Sequence, residues 1–287
     1  MQGPFLAVDW GTTNRRAWRI GAGGAPEAEE WDGRGVLSVE AGGFAAEAAS
    51  LRARLGDLPM LCAGMAGSNR GWAETAYLSC PLRLEAIAAA FFWVEPGRTA
   101  LLPGAAMRGK RPEVMRGEEV QALGAVAAGL VPPDALLCLP GTHCKWVEMK
   151  HGRLESFVTA MTGELFALLR DHSLLAPALA APVAPGPAFL EGVAVSGADL
   201  LARLFEVRAA SLLGGRAQEE AAACASGLLI GADVGARDVA GRDVHLLAGP
   251  PLGALYGAAI EARGGRPVAV DGAAAFLAGI GAIWSMA

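Results

Sequence analysis

The chain has 287 residues, enough for one large domain or two smaller ones with their own cores. Its net charge of −5, with 18% charged residues, argues against nucleic acid or an anionic membrane surface as the main partner. Five cysteines without a C-x-x-C pair predict neither a disulfide framework nor a zinc site, and we expect a reduced, cytoplasmic protein without a leader peptide.

The first predicted element is a strand–turn–strand unit over residues 5–20. An apolar run ends at Asp9, and four small residues follow Trp10: Gly11, Thr12, Thr13 and Asn14. Glycine lets the backbone approach a bound phosphate, and the next three residues offer N–H and side-chain donors to its oxygens. Asp9, at the strand end, is placed to hold Mg²⁺ through water. This pattern favours an ATP-dependent kinase outside the P-loop class, with an ordinary hairpin as the alternative.

The next elements are a strand at residues 60–63, a glycine-rich turn at 64–72, a helix-like stretch over 84–94 and a strand at 99–102. Residues 104–111 nearly spell a Walker A loop. Arg111 stands where that loop needs Ser or Thr to ligate magnesium, and Pro112 follows without a helical pattern, so we predict no P-loop here.

A helix is predicted from Gly117 to about residue 129, where apolar residues recur in helical period. Its first turn carries Glu118 and Glu119, which complement the helix dipole. Phosphoryl transfer to a hydroxyl needs a carboxylate that accepts the proton, so either glutamate is a candidate base. A solvated pair of helix-terminal acids is the alternative interpretation.

The second half repeats the opening pattern at residues 136–149. An apolar run precedes Gly141 and Thr142, and an alternating run follows. His143 and Lys145 are candidates for phosphate contact, or else for capping the turn and a surface role. Two similar α/β domains, each opening with a strand–turn–strand that faces a shared cleft, fit this layout, with residues 1–131 in one and 132–287 in the other.

The remaining elements complete the α/β pattern. Residues 163–170 are predicted to be helical, a proline-rich loop covers 173–190, and two or three helices run from 192 to about 236. A strand at 244–248 leads into a turn bounded by Gly249 and Gly253, where adenine or ribose could pack on bare backbone. A helix at 254–263, a strand at 268–270 and a final helix capped by Asp271 follow.

Together, six segments resemble the 2-dehydro-3-deoxygalactonokinases, sugar-acid kinases of the actin-like ATPase superfamily. The segments are Val8–Asn14, Ala63–Trp72, Val114–Glu119, Leu139–Trp146, Met161–Leu165 and Leu204–Arg208. The resemblance implies two ribonuclease-H-like domains with ATP and substrate in an interdomain cleft. It implies transfer of the ATP γ-phosphate to the 6-hydroxyl of 2-dehydro-3-deoxy-D-galactonate, in galactonate and galactose breakdown, with Mg²⁺ as cofactor and a homodimer as a possible assembly.

The resemblance also assigns site residues. It points to Glu118 as the catalytic acid, with Glu119 in reserve, and to Asp9 for the metal; the second hairpin has Pro140 where relatives often carry an acid. The substrate is a keto acid, so its carboxylate needs partners. The candidates in contact with the substrate are Ser68, Asn69, Arg70, Trp72 and Arg116.

Three other functions stay open. A kinase for another sugar acid would share every feature above. A sugar-binding regulator without catalysis is disfavoured, because no helix-turn-helix module or basic extension is present. An exopolyphosphatase-like phosphohydrolase shares the fold and a glutamate at a helix start. The block at residues 64–69 and the small size favour the kinase, and dependence of ATP consumption on a sugar acid separates the two.

Overall fold

The structure is a computed structural model that describes residues 3–197 and 199–287. It divides into two compact units. Unit 1 comprises Met1–Asp134, Met149–Phe157 and Gly272–Ala287, and unit 2 comprises Ala135–Glu148 and Val158–Asp271.

Unit 1 contains most of its strands in one mixed sheet. The strands in chain order are β1 (Phe5–Trp10), β2 (Arg15–Ile20), β3 (Pro26–Asp32), β4 (Met60–Gly64), β5 (Tyr77–Ser79), β6 (Phe92–Glu95), β7 (Thr99–Leu101), β8 (Gly104–Met107) and β9 (Glu113–Met115). The six-stranded sheet has the order β3-β2-β1-β4-β7-β6, and β5-β8-β9 form a separate three-stranded sheet. The β1–β2 hairpin is antiparallel, whereas β1, β4 and β7 run parallel.

The helices of unit 1 cover its sheet. They are α1 (Phe44–Leu55), α2 (Leu84–Ala88), α3 (Glu118–Ala127) and the C-terminal helix, named α9 below (Gly272–Met286). Leu6, Val8 and Trp10 of β1 pack with Leu51 of α1 in one buried core. The C-terminal helix belongs to this unit because Phe276 packs on Trp18, whereas the sequence predicts residues 132–287 as one domain.

Unit 2 is built on a five-stranded sheet. Its strands are β10 (Ala135–Leu139), β11 (Cys144–Lys150), β12 (Arg153–Ala160), β13 (Asp243–Leu246) and β14 (Arg266–Ala269). Its helices are α4 (Thr162–His172), α5 (Pro187–Val195), α6 (Leu200–Leu212), α7 (Gln218–Gly235) and α8 (Pro250–Ala262), and α9 completes the numbering. The sheet order is β12-β11-β10-β13-β14, with β13 parallel to both β10 and β14.

The two large sheets repeat one order. If the antiparallel edge strand β6 is left out of the count, both sheets read third, second, first, fourth, fifth in chain order. The α/β fold with two similar units that the sequence predicts is therefore confirmed. Parallel strands joined by helices bury both faces of a sheet, which explains the continuous apolar runs of β1, β4 and β10.

Two expectations about local structure are wrong. The stretch predicted as helix over residues 84–94 forms only the short α2 and then the strand β6, because Phe92, Trp93 and Val94 favour a pleated strand. The loop predicted through residue 190 ends earlier, since Pro187 starts α5 at a position where its missing N–H costs nothing. The sequence also gave no expectation of α1 or of the three-stranded sheet.

The expectation that residues 104–111 form no P-loop holds. Residues 104–107 form β8 and are followed by an irregular segment, so the near-match to a Walker A loop has no helix behind it. No helix in the described part of the chain is both long and apolar enough to cross a membrane.

Candidate functional site

The acidic part of the site lies in unit 1, where β1 ends. Asp9 pairs with Arg16 across the hairpin and with Ala63 on parallel β4. A Cβ atom on Gly64 would lie 3.3 Å from Asp9 Oδ1 and 2.8 Å from the Trp10 carbonyl oxygen. A Cβ on Gly117 would lie 3.2 Å from the Gly64 Cα and 3.9 Å from the same Oδ1. Bare backbone at both glycines therefore brings the start of α3 against Asp9.

The two glutamates at the start of α3 have different surroundings. Glu119 is fully buried, and both of its carboxyl oxygens accept from the Gly117 N–H at 2.8 Å. Glu118 is only partly buried, and its Oε2 accepts from the Arg116 N–H at 3.2 Å. Of the pair, Glu118 is the one that solvent or a substrate can reach.

Burial and mutual repulsion set the protonation of these acids. Burial, and then the nearby charge of Glu118, raise the pKa of Asp9 to about 6, with Arg16 opposing the shift. Burial, followed by Glu118, raises the pKa of Glu119 to about 8, although the Gly117 N–H opposes the shift. At neutral pH Asp9 is largely ionised, whereas Glu119 is largely protonated and unsuited to accept a proton.

The glycine-rich turn predicted to meet the substrate lies beside Arg116. A Cβ on Gly67 would lie 2.9 Å from an Arg116 terminal nitrogen, so the turn packs directly on this guanidinium. Asn69 and Arg70 are exposed at the tip of the turn, whereas Ser68 is buried. Ser68 Oγ accepts from the Arg70 N–H at 3.2 Å and thereby fixes the shape of the tip.

Two other predicted substrate residues have structural contacts. The Trp72 ring stacks on Phe44, 6.1 Å between centroids, at the edge of the unit 1 core. The buried Arg116 guanidinium donates to the Thr75 side chain and to its carbonyl oxygen at 3.0 Å, and lies 4.2 Å from the Tyr77 ring centre. Its Nε is buried without a hydrogen-bond partner.

Both hairpins that the sequence predicts to hold phosphate are formed, one in each unit. Thr12, Thr13 and Asn14 are exposed between β1 and β2, and Gly11 N–H donates to the Asn14 carbonyl oxygen at 2.9 Å. In unit 2, Thr142 and His143 are exposed between β10 and β11. His143 Nε2 lies 2.6 Å from Glu164 Oε2, and Lys145 is buried within β11.

The second hairpin opens onto a cavity of about 510 Å³ that lies wholly in unit 2. Gly141 and Thr142 line one side, and Pro251 and Leu252 of the predicted adenosine turn line another. The turn is shorter than predicted, because Gly249 is the N-cap of α8 and Gly253 lies within its first turns. Sequence reasoning did not find the remaining lining residues, which include Thr162, Phe166, Arg170, Ser226, Leu229, Leu255 and Tyr256.

The buried carboxylate of Asp233 is bonded to two residues that line this cavity, Thr162 and Tyr256. Asp233 on α7 accepts hydrogen bonds from Trp146 Nε1 at 2.9 Å, Thr162 Oγ1 at 3.0 Å and Tyr256 Oη at 3.1 Å, and pairs with Arg237 at 3.2 Å. It therefore joins β11, α4 and α8 at one point. Lone Asp, Trp and Tyr residues spread over 111 positions carry no sequence signal for such a cluster.

Comparison with known proteins decides the family. The profile of the 2-keto-3-deoxy-galactonokinase family matches residues 9–283. The chain belongs to this family. A probable 2-dehydro-3-deoxygalactonokinase of Rhizobium meliloti (strain 1021) is 39% identical, with 99% of each chain covered. The 2-dehydro-3-deoxygalactonokinase of Escherichia coli (strain K12) is 36% identical, over 99% of this chain and 98% of the relative.

Solved structures agree with the family assignment. One is the crystal structure of a Sinorhizobium meliloti protein that is provisionally assigned as a 2-dehydro-3-deoxygalactonokinase. It superposes with a TM-score of 0.89 at 38% identity, over 97% of each chain. The activator of 2-hydroxyisocaproyl-CoA dehydratase from Clostridium difficile, solved with bound ADPNP, superposes with a TM-score of 0.56 at 12% identity, covering 99% of this chain and 94% of the other. The latter likeness concerns the fold alone, which is that of the actin-like ATPases and sugar kinases.

Proposed function

We propose that this protein is an ATP-dependent kinase that phosphorylates the 6-hydroxyl of 2-dehydro-3-deoxy-D-galactonate. The observation that carries the proposal is the meeting of Asp9 with the start of α3 in a chain of this family. Relatives at 36–39% identity are named for this activity. The proposal also covers the roles of the individual residues.

Glu118 is the proposed general base. Its carboxylate lies at the start of α3, is partly accessible, and is close enough to Asp9 for the two charges to repel. A sugar hydroxyl that donates to Glu118 would lose its proton as the oxygen attacks the γ-phosphate. Glu119 has the supporting role, because its buried carboxyl binds the Gly117 N–H and holds the peptide that precedes the base.

Asp9 is the proposed ligand for Mg²⁺. The described residues contain no cluster of three or more metal-binding side chains, so the protein alone offers few ligands. That donor set fits Mg²⁺, which is commonly held by one or two carboxylates together with substrate phosphates and water. When bound, the ion would neutralise charge that develops on the phosphates. The Asp9 carboxylate lies near the end of β1 beside the bare backbone of Gly64 and Gly117, and there it would hold the ion.

Unit 2 is the proposed nucleotide-binding unit. The cavity beside Gly141 and Thr142 has a largely apolar wall, with Ser226 as a buried hydroxyl donor; the Thr162 hydroxyl already donates to Asp233. Its volume of about 510 Å³ lies in the range of small-molecule sites. The adenosine would lie against Pro251 and Leu252, and the phosphates would extend toward the second hairpin.

The substrate carboxylate is proposed to meet the glycine-rich turn. Arg70 and Asn69 are exposed at its tip and can approach an anion directly. Arg116 and Trp72 would support the turn, because the guanidinium is bound to Thr75 and the indole is stacked on Phe44. Arg116 Nε is one of several buried side-chain nitrogens in the described part of the chain without a hydrogen-bond partner.

A coupled ADP-release assay tests the proposal. The purified protein is given Mg-ATP with 2-dehydro-3-deoxygalactonate, its gluconate epimer, galactonate, or no acid. We expect turnover that requires a keto-deoxy acid and is fastest with the galactonate-derived compound. Preference for the epimer would reassign the substrate within the same fold. ATP loss without any acid would instead favour a phosphohydrolase of the exopolyphosphatase type.

A further inference from the structure

We propose that Gly35 and Gly163 are positioning residues. Each allows a second segment of the chain to pack closely on one phosphate hairpin and to fix its loop by hydrogen bonds. The segments are Gly35–Leu37 in unit 1 and Gly163–Glu164 in unit 2, and both are called clasps below. The inference rests on the proposed function, because it concerns how the hairpins hold phosphate.

The first clasp binds the three successive carbonyls of residues 11–13 in its hairpin loop. Gly35 N–H donates to the Thr13 oxygen at 3.0 Å, Val36 N–H to Gly11 at 3.0 Å, and Leu37 N–H to Thr12 at 3.2 Å. The buried Trp10 side chain holds the clasp from below, since its Nε1 donates to the Arg34 carbonyl oxygen at 2.9 Å.

These bonds decide where the loop N–H groups point. In a trans peptide the C=O of one residue and the N–H of the next lie on opposite sides. Because the carbonyls of residues 11–13 point into the clasp, the N–H groups of Thr12, Thr13 and Asn14 point away from it. Three successive N–H groups on one side of a turn form a concave anion site. The clasp therefore presets the hairpin for phosphate.

Gly35 is required for space and not for backbone conformation. Its φ of −66° and ψ of 170° are open to any residue. A Cβ at this position, however, would lie 2.3 Å from the Thr13 carbonyl carbon and 2.4 Å from the Thr12 oxygen, both backbone atoms. Any side chain would push the clasp off the loop and break the three hydrogen bonds.

The second hairpin has a smaller version of this arrangement, with one hydrogen bond in place of three. Glu164 N–H donates to the Thr142 oxygen at 2.9 Å, and a Cβ on Gly163 would lie 2.3 Å from the Gly141 oxygen. Gly163 is the second residue of α4 and its φ is not positive, so backbone conformation does not require glycine there. Thr162 anchors this clasp through Asp233, as Trp10 anchors the first.

The spacing supports a repeated device. Gly35 follows Gly11, and Gly163 follows Gly141, by nearly equal distances along the chain, and both clasps donate to the threonine after the hairpin glycine. A matching contact at the same place in each repeated sheet points to the shared task of the two hairpins, namely holding phosphate groups.

The test compares Gly35→Ala and Gly163→Ala with Gly33→Ala and Gly257→Ala. A Cβ on Gly33 meets nothing within 4 Å, and one on Gly257 meets only Pro267 at 3.9 Å, so these controls add the same methyl group harmlessly. Calorimetry measures the affinity for ADP and for inorganic tripolyphosphate, thermal unfolding confirms folding, and kinetics separate the KM for ATP from the KM for the acid.

We expect each clasp variant to lose about 10- to 100-fold in tripolyphosphate and ADP affinity. The KM for ATP should rise accordingly, the KM for the acid should stay within about twofold, and the controls should match wild type. Folded clasp variants with wild-type tripolyphosphate affinity would overturn the inference. A wild-type protein that binds tripolyphosphate but phosphorylates no acid would overturn the proposed kinase activity. The clasps would then be judged by the affinity of the variants for tripolyphosphate alone.

If the variants do not fold, amide hydrogen exchange in the wild-type protein tests whether the clasps hold the hairpins. The amides of residues 35–37 and of Glu164 should exchange slowly, and tripolyphosphate should slow them further. Protection that does not respond to tripolyphosphate, or no protection at all, would contradict the clasps.

Discussion

At the scale of single residues, neighbouring acids in unit 1 differ by their access to water. Glu119 is enclosed and binds a backbone N–H, Asp9 is held between two glycines, and Glu118 is partly open. Unit 1 thus supplies a buried carboxyl, Glu119, that stays protonated at neutral pH, the largely ionised carboxylate of Asp9, and the accessible side chain of Glu118.

Glu118→Gln is expected to lower kcat by about 10²- to 10⁴-fold while leaving ATP affinity unchanged, because the amide cannot accept the hydroxyl proton. Steady-state kinetics and nucleotide calorimetry measure both quantities. Glu119→Gln is the matched variant and should change kcat by less than about fivefold, since glutamine resembles the protonated acid. The reverse order of effects would make Glu119 the base.

Asp9→Asn is expected to abolish Mg²⁺-dependent turnover and yet to stabilise the fold at pH 8. Folding raises the pKa of Asp9 from 3.8 to about 6, chiefly by burial, so the native state is penalised as pH rises from 4 through 6 and beyond. Without Mg²⁺, the free energy of unfolding should rise by roughly 1–3 kcal/mol at pH 8 and change little at pH 4. Denaturant unfolding in EDTA at both pH values measures this.

Asp57→Asn is the control for the direction of this change in the free energy of unfolding. A hydrogen bond from Arg98 lowers the pKa of Asp57, so removing its charge should not stabilise the protein at pH 8. Equal stability of wild type and Asp9→Asn at pH 8 would mean that the Asp9 carboxylate carries no burial penalty.

Sequence reasoning reached the polar residues of the site more readily than the glycines. Asp9, Glu118 and the hairpin loops stand in recognisable patterns of strand end, helix start and turn. Gly35 acts through the side chain that it lacks, against backbone more than 20 positions away. A single glycine in a loop gives no sign of that contact.

At the scale of elements, close contact between helices holds α3 in place. A Cβ on Gly279 of α9 would lie 2.2 Å from the Val120 oxygen, and one on Gly124 would lie 2.1 Å from the Ala275 oxygen. The helix that presents Glu118 is thus backed by the last helix of the chain. Residues 272–287 were predicted in the other domain because contacts between distant segments leave no local pattern.

Gly279→Ala is expected to lower the free energy of unfolding by about 1–3 kcal/mol, because the methyl group must force α3 and α9 apart. Gly281→Ala lies in the same helix with nothing within 4 Å of its Cβ, and should be neutral or stabilising by up to about 1 kcal/mol. Urea unfolding of both variants makes the comparison. Similar values for the two would show that the helix contact is not tight.

Asp233 has the corresponding role in unit 2, where it links three elements beneath the cavity. Asp233→Ala should cost about 3–5 kcal/mol, because it leaves Arg237 and three buried donors without their acceptor. Asp243→Ala removes an exposed partner of Arg266 and should cost less than about 0.5 kcal/mol. Thermal or urea unfolding measures both, and an Asp233 effect as small as that of Asp243 would contradict the role.

At the scale of the whole molecule, the repeated sheet order was predictable because both halves open with the same apolar run, Gly-Thr turn and alternating strand. The short strands of the separate sheet were not, since β5, β8 and β9 have three or four residues each and are defined by their pairing. The cavity of unit 2 likewise depends on helices that meet only in the fold.

The measurement that tests the central claim most directly follows the phosphate itself. Wild-type protein is mixed with Mg-ATP and 2-dehydro-3-deoxygalactonate, and ³¹P NMR follows all phosphorus species. We expect ADP and one new phosphate ester in equal amounts, with no inorganic phosphate. The ³¹P signal of the ester should be coupled to the protons on carbon 6. Inorganic phosphate in place of the ester, or an ester at another carbon, would contradict this expectation.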